Sequence, residues 1–218
     1  MKIVTKEKAE ITRNRILGAS KDLFYTHGYS KVTMDDIALK LKMSKKTLYR
    51  YFENKFDIIS QVVQKFIDDL GNGVKDIVHD NSLEYPFKLK KMLNFVAVKL
   101  SGISVLLLED MQTNLPELWN KLDQFKKESA FVRFNQLIEE GREKSMINQH
   151  INHRLIVALY ASAIHNLLNP NFIRQLPAEI VKEMPTTPSD IFDNIINIIY
   201  EGILTEETKK KFRKEEVQ

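Results

Sequence analysis

Residues 33–55 read TMDDIALKLKMSKKTLYRYFENK, two short apolar rhythms separated by a brief break. Thr33 stands three residues before Asp36, the spacing of a capping box, and Asp35 and Asp36 suit the positive end of a helix. Met34, Ile37, Ala38 and Leu41 then recur at helical spacing and give that helix one inner face. Ser44 offers a second N-cap, opening KKTLYRYF, in which Leu48 and Phe52 lie four apart and point inward together. The spacing therefore predicts two short helices joined by a tight turn, a helix-turn-helix. In that motif the second helix enters the DNA major groove with its N-terminal residues nearest the bases. Its outer side here offers Lys45, Lys46, Thr47, Tyr49 and Arg50, cations for phosphates and hydroxyls for phosphates or bases. Lys55 opens the next helix, beside backbone amides that also favour anions.

Working outward, Ile16, Leu17, Leu23 and Phe24 form a helical stripe upstream, and Gly28 is the natural left-handed terminator of that first helix. Residues 1–55 hold thirteen Lys/Arg against six Asp/Glu, whereas the other 163 residues of the 218 hold twenty against twenty-three. A small basic module thus precedes a larger, slightly acidic one, and the basic part calls for a polyanionic partner. With no cysteine there is no disulfide framework. The N-terminus lacks the apolar run of a leader peptide, and no segment approaches ~20 consecutive apolar residues, so no membrane span and a cytoplasmic location are expected.

The stretch RNRILGASKDLFYTHGYSKVTMDDIALKLKMSKKTLYRYFENK resembles the N-terminal DNA-binding domain of the TetR family of bacterial transcriptional regulators. The resemblance spans residues 9 to 56 and rests on HGY, the Thr before the second helix, DIA, MS, TLYRYF and the Lys that follows. It implies that Lys45, Lys46, Thr47, Tyr49 and Tyr51 belong to the recognition helix and that Thr33 and Lys55 hold backbone phosphates. Ser44 and Arg50 complete the expected DNA-contacting set. Two positions depart from the family pattern. Lys42 occupies the turn where glycine is frequent, and Lys46 stands where a small residue is common.

Downstream, Ile58, Ile59, Val62, Val63, Phe66, Ile67 and Leu70 continue a helical stripe, and the GNG at 71–73 is expected to end or kink it. Further helices are predicted near 84–101, 103–113, 116–145, 152–169 and 188–204, with no strand alternation, so the fold class is all-α. The expected division is a DNA-binding domain over 1–54, a helical ligand-binding and dimerisation domain over 55–205, and a charged, flexible tail over 206–218. The resemblance implies an effector pocket in the second domain, and the residues proposed to line it are Met92, Phe95, Met111, Trp119, Phe125, Phe134, Tyr160 and His165. It also implies dimerisation through the last two long helices, with Ile156, Ile191, Ile195, Ile196 and Ile199 at the interface. The expected partners are double-stranded DNA with a palindromic operator, a small hydrophobic effector and a second copy of the chain.

No glycine-rich phosphate loop, cysteine nucleophile or serine-histidine elbow is present, which argues against an enzyme, and no cofactor is expected. His150 and His153 lie three apart without nearby cysteine or carboxylate ligands, a poor metal site. Two alternatives stand beside the ligand-responsive repressor: a TetR-like regulator without a small-molecule effector, and an all-α carrier or enzyme whose basic N-terminus is incidental.

Overall fold

A computed structural model describes residues 2–100 and 102–215. The helices run α1 (Lys2–His27), α2 (Met34–Leu41), α3 (Lys45–Tyr49), α4 (Lys55–Val78), α5 (Tyr85–Leu100), α6 (Val105–Asn114) and α7 (Pro116–Glu128). A π-helical segment, Ser129–Phe134, leads into α8 (Asn135–Glu143), followed by α9 (His153–Leu167), α10 (Pro170–Ile173), α11 (Ala178–Glu183), α12 (Pro188–Ile203) and α13 (Glu206–Glu215). The architecture is all-α, as the residue pattern predicts. The helices expected at 116–145, 152–169 and 188–204 fall within a few residues of α7 to α8, α9 and α12. The short α10 and α11 carry no clear apolar period and escaped the sequence reading.

The chain divides into two compact units. The first holds residues up to Asp68 with Gly102–Asn120, and the second holds residues 69–101 with Lys121 onward. In the first unit, Gly28 (φ 80°) closes α1 by donating to the Phe24 carbonyl at 2.9 Å. Ile16, Phe24, Ile37, Leu48, Phe52, Ile58 and Ile59 are all buried there. The capping box of α2 forms as the spacing requires, with Thr33 accepting from the Asp36 amide and Asp36 accepting from the Thr33 amide. The turn residue Lys42 adopts φ 52°, the left-handed conformation that glycine takes without strain, and its amide bonds back to Ala38 and Leu39.

In the second unit α5 packs against α12, and α9 packs against the π segment and α8. Phe134 stacks on Tyr160 with ring centres 3.9 Å apart, and Phe192 meets Tyr160 edge-on at 6.4 Å. Lys88 of α5 is only 3% exposed and reaches Glu140 of α8 at 3.0 Å, while Lys144 reaches the same carboxylate at 2.6 Å.

Two expectations are corrected. The glycines at 71 and 73 do not break α4, which is continuous from Lys55 to Val78. They serve close packing instead: a Cβ at Gly73 would collide with the Phe95 ring, and one at Gly71 would crowd Phe125 at 3.3 Å. The tail is not flexible chain through residue 215, because α13 forms there. It is tied back by Thr205 N–H to the Met146 carbonyl (3.1 Å), by Thr208 Oγ1 to the same carbonyl (3.3 Å), and by a bridge between Ile147 and Leu204. Residues 216–218 of the expected tail lie outside the described residues.

Candidate nucleic-acid interface

Five residues make too short a helix to hold itself, since one isolated turn is unstable in water. The direction of α3 is therefore set by its ends and its anchors. Ser44 Oγ accepts from the Thr47 amide at 3.0 Å, satisfying one of the orphan donors of the first turn. Leu48 and Phe52 are buried, and the last turn closes through Tyr51 N–H and Phe52 N–H onto the Leu48 carbonyl. The regular helix thus stops at Tyr49, three residues short of the predicted end at 52, because these tightened bonds turn the chain toward α4. Asn54 then caps α4 by accepting from the Asp57 amide at 2.9 Å.

The expected DNA contacts fall into two groups. Lys46, Tyr49 and Arg50 present exposed side chains, Tyr49 at 47%. The polar side-chain groups of Lys45, Ser44, Thr47, Thr33 and Lys55 already have partners. Lys45 pairs with Asp35 at 2.9 Å, and the hydrogen bond it donates to that carboxylate raises its pKa above the usual lysine value. The Thr47 and Ser44 hydroxyls lie 2.8 Å apart. The Thr33 hydroxyl donates to Asp36 at 2.6 Å, and those bonds from Thr33 hold the Asp36 carboxyl below its usual value. Tyr51 is half-buried. The first unit therefore presents a short outward face framed by residues whose polar groups hold the scaffold.

Lys55 is half-buried rather than reaching freely outward. Its ammonium donates to the Tyr29 carbonyl at 2.8 Å and sits 4.0 Å from the centre of the Tyr29 ring. Burial lowers its pKa, against the opposing pull of Asp110. Asp110 of α6 accepts from the Ser30 amide (2.9 Å), the Ser30 hydroxyl (2.5 Å) and the Asn114 amide group (2.9 Å). Burial pushes the Asp110 carboxyl up, but the bonds from Ser30 and Asn114 bring it below the ordinary range. A side chain at Gly28 would stand 2.6 Å from the same carboxylate. Sequence reading did not find this clasp, because its members lie about eighty positions apart.

The residues proposed for an effector pocket are not gathered in one unit. Met111 and Trp119 belong to the first, and the other six to the second. Phe134 and Tyr160 are buried against each other, and burial raises the Tyr160 phenol well above its usual value. Met92 is buried, Phe95 packs on Gly73, and Phe125 packs on Gly71. His165 Nδ1 lies 2.8 Å from Asp123, which also takes Lys126 at 3.2 Å and Lys127 at 2.9 Å. An open groove of about 500 Å³ runs along α5, lined by Leu83, Phe87, Lys90, Lys91, Asn94, Phe95 and Val98, and it includes one of the eight.

Of the expected interface residues, Ile156 and Ile195 are buried within the second unit and Ile191 is half-buried. The side chains of Ile196 and Ile199 lie outside the described ones. Among the described side chains of α9 and α12, the large apolar ones left exposed are Leu155 (55%), Leu159 (61%) and Ile198 (74%). His153 pairs with Glu139 at 3.1 Å, and among the described residues no group of three potential ligands could hold a metal. No single described helix is long and apolar enough to cross a membrane.

Residues 16–62 match the family of bacterial regulatory proteins of the tetR family. The chain is 29% identical over 193 residues to the HTH-type transcriptional regulator YvaF of Bacillus subtilis, covering 88% of this chain and 96% of that one. It is 25% identical over 142 residues to the HTH-type transcriptional repressor SCO4008 of Streptomyces coelicolor, over 65% of this chain and 70% of that one. Transcriptional activators are also among its relatives. In fold it is similar to the ketosteroid transcriptional regulator KstR2 of Mycobacterium tuberculosis, with a TM-score of 0.60 at 17% identity, over 89% of this chain and 96% of that one. Such relatives are DNA-binding regulators rather than enzymes. The capped, doubly anchored α3 lies inside the matched stretch, and residues 16–62 are a DNA-binding region of the type found in the tetR family of bacterial regulatory proteins.

Proposed function

We propose that this chain is a repressor that binds a palindromic operator as a homodimer and is released by a small hydrophobic effector. The observation that carries the reading is α3 itself: a Ser44-capped helix pinned by Leu48 and Phe52, with Lys46, Tyr49 and Arg50 turned outward. In this reading residues 1–54 bind DNA, residues 55–205 carry the effector and dimer contacts, and the protein works in the cytoplasm. Dimerisation through α9 and α12 is supported by the exposure of Leu155, Leu159 and Ile198, which in water favours a partner surface. Two-fold symmetry then sets the recognition helices ~34 Å apart, one DNA turn, or a multiple of it.

What supports an effector is the α5 groove, with apolar walls from Leu83, Phe87, Phe95 and Val98 and polar groups from Lys90, Lys91 and Asn94. Effector binding would act as a population shift between DNA-competent and DNA-incompetent dimers. The continuous α4, which begins at Lys55 and has residues in both units, is the element on which both events bear.

The test is fluorescence anisotropy of the full chain with duplex DNA from upstream of its own gene, against a scrambled duplex, at 50 and 200 mM salt. A dimer making ~6–10 phosphate contacts should lose ~10³–10⁵ in affinity across that range. Tyr49→Ala should weaken binding while leaving the helical circular dichroism unchanged, and Leu159→Asp should yield monomers on sedimentation. No binding to either duplex would sink the regulator reading, and an intact Leu159→Asp dimer would move the interface elsewhere.

A further inference from the structure

The basic surplus of the first fifty-five residues invites the reading that every arginine there faces DNA. Two do not. Arg15 Nη2 donates to the Leu41 carbonyl, the last residue of α2, at 3.1 Å. Arg13 Nη1 donates to the Tyr51 carbonyl, just past the end of α3, at 2.8 Å. The carbonyls at a helix exit lack partners within the helix, so both arginines of α1 serve as C-terminal caps for the two helices of the reading motif.

Arg13 does more than cap. Its guanidinium lies 4.4 Å from the centre of the Phe52 ring, the inward anchor of the segment, and its Nε donates to Gln61 Oε1 of α4 at 3.2 Å. Gln61 Nε2 donates in turn to Asp57 Oδ1 at 2.7 Å, and Asp57 Oδ2 accepts from the Glu53 amide at 3.3 Å. The bonds close a ring from α1 through the exit of α3 to the first turns of α4. A planar fork with donors in fixed directions is what this geometry needs, and an ammonium on a flexible stem cannot reproduce it.

We infer that Arg13 is a positioning residue for DNA recognition, setting the direction in which α3 presents Tyr49 and its neighbours without itself neutralising a phosphate. The inference rests on the reading above, that α3 is the helix that reads DNA. It predicts that Arg13 governs the ratio of operator to non-operator binding, whereas a phosphate contact would weaken both and lower the salt slope by about one.

The experiment compares the wild-type chain with Arg13→Lys, Arg13→Met and Gln61→Leu. The probes are a duplex selected by the wild type from a random library and a scrambled version of it, each across a salt series. Losing a hydrogen bond with a charged donor predicts a fall in affinity for the selected duplex of about tenfold to a hundredfold in both Arg13 variants. Binding to the scrambled duplex and its salt slope should change by less than about twofold. Gln61→Leu should reproduce part of the loss, and it carries the test if thermal melting shows that an Arg13 variant does not fold. Restored affinity in Arg13→Lys, or a parallel fall on both duplexes with a shallower slope, would make Arg13 a phosphate contact and overturn the inference. So would unchanged affinity in all three variants. If the wild type selects no sequence at all, the functional reading fails first, and with it any reading helix for Arg13 to brace.

Discussion

The helix-turn-helix segment and the α5–α8 contact of the second unit both have to satisfy polar groups beside an apolar core, and they do so at different range. Within residues 33–57, Thr33 bonds Asp36, Ser44 bonds Thr47, and Asn54 bonds Asp57, each pair three positions apart. In the second unit Lys88 meets Glu140 across 52 positions, and His165 meets Asp123 across 42. Short-range bonds form with the helix they cap and close a negligible loop. Long-range pairs exist only once the core has assembled, and a partner as buried as Lys88 cannot return to water when the other is removed. The first kind of wiring should therefore fail gently and independently, and the second abruptly.

That contrast is most exposed at Lys88. Lys88→Met should lower stability in urea by about 3 kcal/mol, because it strips the buried partner from a half-buried carboxylate. The pH dependence has a definite sign. Burial pushes the Glu140 carboxyl up, but the bonds from Lys144 and Lys88 bring it below its ordinary value. Its contribution is thus fully present above the usual carboxylate range and is lost as pH falls through the depressed folded value. The gap between wild type and Lys88→Met should shrink on going from neutral pH to about pH 3. An equal gap at both pH values would detach the effect from Glu140.

Smaller effects sharpen the same line. Gly73→Ala should cost about 2 kcal/mol by driving a methyl into the Phe95 ring, and Gly71→Ala distinctly less, since its contact with Phe125 is at 3.3 Å. Equal melting temperatures for the two would show that α4 adjusts freely there. Thr33→Ala and Ser44→Ala should each cost about 1 kcal/mol. In the double variant the costs should add to within ~0.5 kcal/mol, as independent local caps do, and strong coupling would break the claim of locality. At the bottom of the scale, Lys144→Ala removes a half-exposed partner of Glu140 and should cost less than about 1 kcal/mol in the same urea titration.

The same distinction explains what could be read in the chain before its fold was known. The caps at Thr33 and Ser44, the left-handed Gly28 and the anchors Leu48 and Phe52 are written within a few positions of where they act, and all are found in place. The role of Arg13 is not, because the carbonyl it caps is 38 residues away. Glycine shows the ambiguity most directly. At 28 it marks a left-handed turn, while at 71 and 73 it makes room for aromatic rings contributed by distant helices. α13 has no apolar stripe to announce it and is held by bonds to Met146. The exposed apolar side chains of α9 and α12 are no more hydrophobic than their buried neighbours, so composition alone could not sort Leu159 from Ile156.

The π segment at Ser129–Phe134 bears on how the chain tolerates changes in length. A π turn bonds each residue to the one five ahead, where an α turn uses four, so it absorbs one surplus residue without rotating the helix on either side. Here Ala130 and Phe134 face the interior while Phe131 and Val132 stay exposed, and Leu137 and Ile138 beyond them keep their inward register. Removing one outward residue, Phe131 or Val132, would return the turn to ordinary pitch and leave α7 and α8 in phase. Anywhere else along these helices the same deletion would swing every following side chain by about 100°, out of the core and into water. The widened turn is thus the place between Pro116 and Glu143 where loss of a residue should disturb the interior least.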